Sequence, residues 1–196
     1  MNRVDLNCKT THFFEIVRTI ATMFRHLFPK QSWLFVTFDV AMNKYFLSLT
    51  NRKFVLVTFG ISLFFFFVSS GLYSLCGTDL VRDLLEEGKN RGFLLLVIVA
   101  PVLETIIFQF LILEFFRLGR INPSIAISIS GLAFGSVHYF NSYCFFEFAA
   151  TTLTGVLWAY FYMITKERKG VSAFLLIVSI HAFENLLASI LTMISG

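Results

Sequence analysis

Residues 92–110 read GFLLLVIVAPVLETIIFQF, an apolar run that carries Glu104 in its interior and Pro101 one turn before it. A run of about 20 apolar residues is what a helix needs to cross a hydrocarbon core of ~30 Å. An ionisable group near the centre of such a run costs about 2.5–3.5 kcal/mol on insertion scales, so its presence calls for a function. Pro101 lacks a backbone donor, which predicts that the carbonyl of Val97 is freed and that the helix kinks beside Glu104, leaving room for water.

Outward from this run the chain keeps the same character. Of its 196 residues 57% are apolar, 26 are Phe and only 14% are charged, against about a quarter charged in soluble domains. Five spans are predicted: Phe54–Cys76, Gly92–Phe116, Ile121–Phe140, Tyr143–Ile164 and Val171–Ile194. The fold class is therefore all-α, a polytopic bundle of five to six transmembrane helices. Residues 1–53 form a separate N-terminal region, because Glu15, Arg18, Arg25, Asp39 and Lys44 interrupt every apolar run there. Within it His12–Phe28 has the spacing of an amphipathic helix lying in the membrane plane. Ser32–Leu49 is read as interfacial or re-entrant, with a sixth span as the alternative. Gly77–Arg91 is a polar surface connector, and no cleavable signal peptide is expected.

With five spans, 13 Lys and Arg residues fall on the N-terminal side and 3 on the other, which predicts a cytoplasmic N-terminus in a plasma membrane. A sixth span reduces the split to 8 against 7 and removes the prediction. The net charge of +4 fits a basic collar on anionic lipid and is no argument for nucleic acid. Cys8, Cys76 and Cys144 show neither metal nor redox spacing and are read as packing residues.

Two further spans carry polar side chains. In 121–140, INPSIAISISGLAFGSVHYF, Gly131 and Gly135 make a small-xxx-small pair that admits a neighbouring helix, and His138 is carried into that contact. In 171–194, VSAFLLIVSIHAFENLLASILTMI, His181 and Asn185 stack one turn apart with Glu184 on the same side. Each has a bland counterpart: Glu104 as a protonated buried carboxyl, His138 as an interface residue, Glu147 as an interfacial carboxylate near a helix N-terminus, Glu114 as a surface partner of Arg117. Taken together, the groups suit hydrolysis of an acyl bond without a covalent intermediate. A carboxylate in a low-dielectric pocket serves as general base, an imidazole helps to handle the water, and His181 with Asn185 meets the charge on the carbonyl oxygen.

The patterns AP-x-x-E-x-x-x-F at Ala100–Phe108, F-x-x-x-H at Phe134–His138 and H-x-x-x-N at His181–Asn185 resemble the three motifs of the CAAX-protease and bacteriocin-processing family (CPBP/Abi). These are glutamate-type intramembrane endopeptidases, and the prenyl-protein processing enzyme Rce-one is among them. The resemblance covers roughly Leu94–Ile194 and implies a catalytic core there. It implies Glu104 as the base that activates water, His138 as its orienting partner, and His181 and Asn185 as oxyanion donors, with no cofactor and no metal. Its substrate would be a membrane-associated protein or peptide, as in C-terminal sorting, peptide maturation or CAAX processing. A prokaryotic enzyme is favoured by the short chain.

Two positions depart from the family pattern: Thr105 stands where a second glutamate is usual, and Gln109 where an arginine is usual. Glu184 is assigned as a partial stand-in for the missing carboxylate. The departures keep a second class open, a relative that holds a membrane partner such as a sensor kinase without cutting it. A proton or cation carrier is a third, and a zinc site, for which Glu and His are acceptable ligands, a fourth. Oligomeric state is not readable from the sequence.

Overall fold

The computed structural model describes residues 42–73 and 92–195. The His12–Phe28 helix, most of Ser32–Leu49 and nearly all of the Gly77–Arg91 connector lie outside them. A short helical segment, 42–48, precedes five long helices: α1 (Asn51–Tyr73), α2 (Leu95–Leu118), α3 (Pro123–Ser142), α4 (Phe145–Lys166) and α5 (Ala173–Ser195). No strand occurs among the described residues. The protein is an all-α polytopic membrane protein.

Four of the five helices, α1, α2, α4 and α5, are long and apolar enough to cross a membrane. The prediction that 121–140 is an equally strong span is corrected. Ser124, Ser128, Ser130, Ser136, His138 and Asn141 dilute the 20 residues of α3, which is the most polar of the five. Its apolar deficit is made up by packing, since α3 and α4 form the most extensive pair in the bundle. Large side chains such as Leu56, Phe64, Phe67, Leu103, Leu118 and Leu175 are exposed, as a lipid-facing surface requires.

The close α3–α4 contact follows from glycine. A Cβ on Gly131 would lie 2.7 Å from the backbone N of Val156 and 2.9 Å from the carbonyl O of Thr152, and one on Gly135 would meet Thr152 Oγ1 at 2.0 Å. The two helices thus touch backbone to backbone, as the small-xxx-small spacing predicts. Asn122 caps α3 by accepting a hydrogen bond from the Ser124 N–H (2.9 Å), with Pro123 at the first helical position. At the other end Tyr143 is left-handed, its N–H donating to the Tyr139 carbonyl, and only two residues separate α3 from α4. Cys144, in that turn, is disulfide-bonded, which corrects its reading as a packing residue.

Between α1, α4 and the segment 42–48 an aromatic cluster fills the core, with the Phe46 ring edge-on to Phe54, Tyr160 and Phe161. Arg168 holds the segment down: its guanidinium donates to the carbonyls of Phe46 and Leu49, both at 2.6 Å, and lies 4.4 Å over the Phe54 ring. At the same end of the bundle Glu114 pairs with Arg117 (2.6 Å), as predicted, and also with Lys166 (2.9 Å), tying the end of α2 to the end of α4.

Around Pro101 the winding changes. The helix α2 contains two π-helical stretches, Leu95–Val99 and Thr105–Leu111, on either side of the α-helical turn Ala100–Glu104. In the first stretch the Ala100 N–H reaches back five residues to Leu95. In that register the donor absent from Pro101 is missed by Leu96, and it is the Leu96 carbonyl that accepts a side-chain hydrogen bond, from Asn185 Nδ2 at 2.9 Å. In the second stretch the Phe108 carbonyl accepts from Ser130 Oγ at 2.7 Å. Neighbouring helices thus satisfy a backbone whose own ladder is interrupted.

Candidate functional site

Glu104 closes the α-helical turn that follows Pro101, between the two π stretches. Its carboxylate Oε2 lies 3.4 Å from His181 Nε2 of α5, with the imidazole buried and the carboxylate side chain 30% exposed. The His181 ring is set by aromatic neighbours: Trp158 of α4 lies 4.3 Å away and tilted, and Phe134 of α3 stands edge-on at 6.1 Å. His181 Nδ1 is buried and has no hydrogen-bond partner among the described residues.

Phe134 links the two imidazoles, because it also touches His138, one turn along α3, at 4.8 Å between ring centroids. Thus α3 and α5 bring His138 and His181 to the ring of Phe134, and α2 brings Glu104 to His181. His181 and Asn185 share the face of α5 turned to α2, but they engage different points on it. One meets Glu104, while the other donates to the Leu96 carbonyl. That carbonyl is a use of the Asn185 amide which the sequence reading missed, and a primary amide retains one further N–H.

Asn185→Leu removes the donor while keeping the volume, and leaves a carbonyl in apolar surroundings unsatisfied. The expected cost is about 1–3 kcal/mol, read as a lowered thermal midpoint in detergent relative to wild type.

The accessory positions separate from this group. Glu184 is buried, and its carboxylate accepts a hydrogen bond from Ser62 Oγ of α1. Ser62 in turn accepts from Trp158 Nε1 at 3.0 Å, so Glu184 ends a bridge running α4–α1–α5. Thr105 and Gln109 are fully buried, and among the described residues Thr105 Oγ1 and both amide atoms of Gln109 have no hydrogen-bond partner. Neither supplies a charge. Among the described residues no three His, Cys, Asp or Glu side chains are grouped as a metal site.

The sequence predicts an interfacial carboxylate at Glu147; the structure places it against His138. It lies in the first turn of α4, 7% exposed, with Oε1 3.7 Å from His138 Nδ1. A signal for this pair exists in the sequence. Tyr143 and Cys144 close a tight helical hairpin, which brings residues a similar distance before and after the turn face to face. Ser62 and Trp158, which position Glu184 and His181, carried no such signal, because contacts between helices distant in sequence leave no spacing to read.

Fold and polar cluster together define a class: a helical integral membrane protein that holds a carboxylate, two imidazoles and a carboxamide inside its bundle. The family described as Type II CAAX prenyl endopeptidase Rce1-like matches residues 89–187, half of the chain. The chain belongs to this family of membrane-embedded proteases. No curated protein and no solved structure matches it.

Proposed function

We propose that the protein is a glutamate-type intramembrane endopeptidase that cuts a membrane-associated protein or peptide. The observation that carries this reading is the 3.4 Å contact of Glu104 with His181 between two membrane helices. Glu104 takes a proton from water as that water attacks the scissile carbonyl. His181 Nε2–H and the free N–H of Asn185 donate to the oxygen that becomes negative, and His138 orients the water. Losing one such donor typically raises the barrier by about 2.7–4 kcal/mol. The proton held by Glu104 then passes to the leaving amine, which restores the carboxylate.

The protein lies in a prokaryotic plasma membrane with its N-terminal side in the cytoplasm. Two features support this orientation. Arg117, Arg120, Lys166, Arg168 and Lys169 cluster at one end of the bundle, and the disulfide-bonded Cys144 lies at the other, as an oxidising compartment requires. His138 and Glu147 belong to that second end, so substrate and water enter from the non-cytoplasmic side.

The test is cleavage of a lipid-anchored peptide reporter by the protein in proteoliposomes, run in water enriched in oxygen-18. Direct attack by water puts one heavy oxygen into the new carboxylate in a single turnover, and hydroxylamine traps no acyl-enzyme. Trapping of an acyl-enzyme would overturn the mechanism, and absence of any cleavage across a reporter library would overturn the activity.

A further inference from the structure

The catalytic reading gives no part to the buried carboxylate of Glu147. Glu147 is 7% exposed; among the described residues its Oε2 has no hydrogen-bond partner, and its one ion-pair contact is the 3.7 Å approach of Oε1 to His138 Nδ1. Burying a carboxylate in a membrane protein is costly, and such groups persist where they pair with another polar side chain. The pair is also held rigidly. His138 and Glu147 flank a two-residue turn whose Tyr143 N–H donates to Tyr139 and whose Cys144 N–H donates to Ser142 Oγ. Behind the turn, Gly131 and Gly135 lock α3 against α4. A movement of less than 1 Å brings 3.7 Å into hydrogen-bonding range, and catalytic contacts are commonly long in unliganded structures.

We propose that Glu147 is a positioning residue for His138, accepting a hydrogen bond from its Nδ1–H. This rests on the glutamate-protease reading and deepens it. A neutral imidazole carries one proton, so placing it on Nδ1 leaves Nε2 as the lone-pair nitrogen. Nε2 is then the atom that accepts a hydrogen from the attacking water, while Glu104 takes the proton that is transferred. Without Glu147 the ring is free to carry its proton on Nε2, where it can only donate. The carboxylate therefore decides which end of His138 the water meets, without touching substrate.

The experiment is nitrogen-15 NMR of the full chain in nanodiscs, with histidine labelled and the His138 signals assigned from a His138→Gln sample. In a neutral ring the protonated and unprotonated nitrogens give widely separated signals. The expected result is the Nδ1–H tautomer as the major form in the wild type, changing to Nε2–H as the major form in Glu147→Ala. Glu147→Gln, whose carbonyl oxygen still accepts, is expected to keep the wild-type tautomer. In turnover of the lipid-anchored reporter, Glu147→Ala is expected to lower kcat by at least about 10-fold with KM unchanged, the scale of losing a partner that orients a histidine. A wild-type spectrum dominated by Nε2–H overturns the proposal with no variant needed, as does a tautomer indifferent to Glu147→Ala. Either result leaves the role of Glu104 untouched. Loss of the Glu104 dependence, conversely, would remove the protease mechanism and leave the tautomer result standing.

Discussion

Glu104→Gln is expected to slow cleavage by about 10²–10⁴-fold while leaving a folded protein. Gln keeps the size of the side chain and a hydrogen-bonding oxygen beside His181 Nε2, which lies 3.4 Å from the Glu104 carboxylate, but it accepts no proton at neutral pH. General-base catalysis contributes about 10²–10⁴-fold, which corresponds to about 2.7–5.5 kcal/mol of barrier. Rates of reporter cleavage in proteoliposomes should fall by that factor in kcat, while thermal unfolding in detergent changes little. The same variant separates the protease from a scaffold that only holds a membrane partner. A scaffold would keep its cellular phenotype with Gln at position 104, whereas a protease would lose it. Retention of more than a tenth of the wild-type rate would remove Glu104 from the role of base.

Gly131→Val is expected to have the largest effect on folding. Its Cβ alone would sit 2.3 Å from Val156 Cγ2, 2.7 Å from the Val156 backbone N and 2.9 Å from the Thr152 carbonyl O. The first neighbour can rotate away, but the other two are backbone and move only if α4 moves. Overpacking in a core costs about 1–3 kcal/mol where side chains can adjust, and here they cannot, so a loss above about 3 kcal/mol is expected. The measurement is the yield of monodisperse protein on size exclusion and its thermal midpoint. Gly131→Ala should lie between wild type and valine. A valine variant with wild-type yield and midpoint would show that α3 and α4 are not packed as described.

How far the sequence could be read differs from helix to helix for identifiable reasons. The five helices were legible because apolar length is a property of contiguous residues, and each predicted stretch lies within about three residues of an observed helix wherever both are described. The α3–α4 contact was legible from Gly131 and Gly135, because four-residue spacing puts both on one face. Glu104, His138 and His181 stand out as ionisable groups in apolar runs; the bundle sets Glu104 against His181 and both imidazoles against Phe134. The π stretches of α2 were not legible, because periodicity arguments assume 3.6 residues per turn and Pro101 fixes only where a donor is missing, not which carbonyl misses it. Asn185 was noticed as polar, yet its partner at Leu96 depends on that altered register. Glu147 was discounted because an acidic residue in a first helical turn has an ordinary electrostatic explanation, and only the packing shows that it is buried.

The wide turns in α2 bear on how this chain tolerates changes in length. Each wide turn accommodates more residues per revolution than a regular helix, so the segment beyond Leu111 is rotated relative to an uninterrupted one. Removing a single residue between 105 and 111 would let that stretch close to ordinary winding while the residues beyond it keep their direction. Leu113 and Phe116, both buried, would go on facing the core, and Glu114 would keep Lys166. A one-codon deletion in this stretch should therefore be borne far more easily than one in the regular turns of α4 or α5.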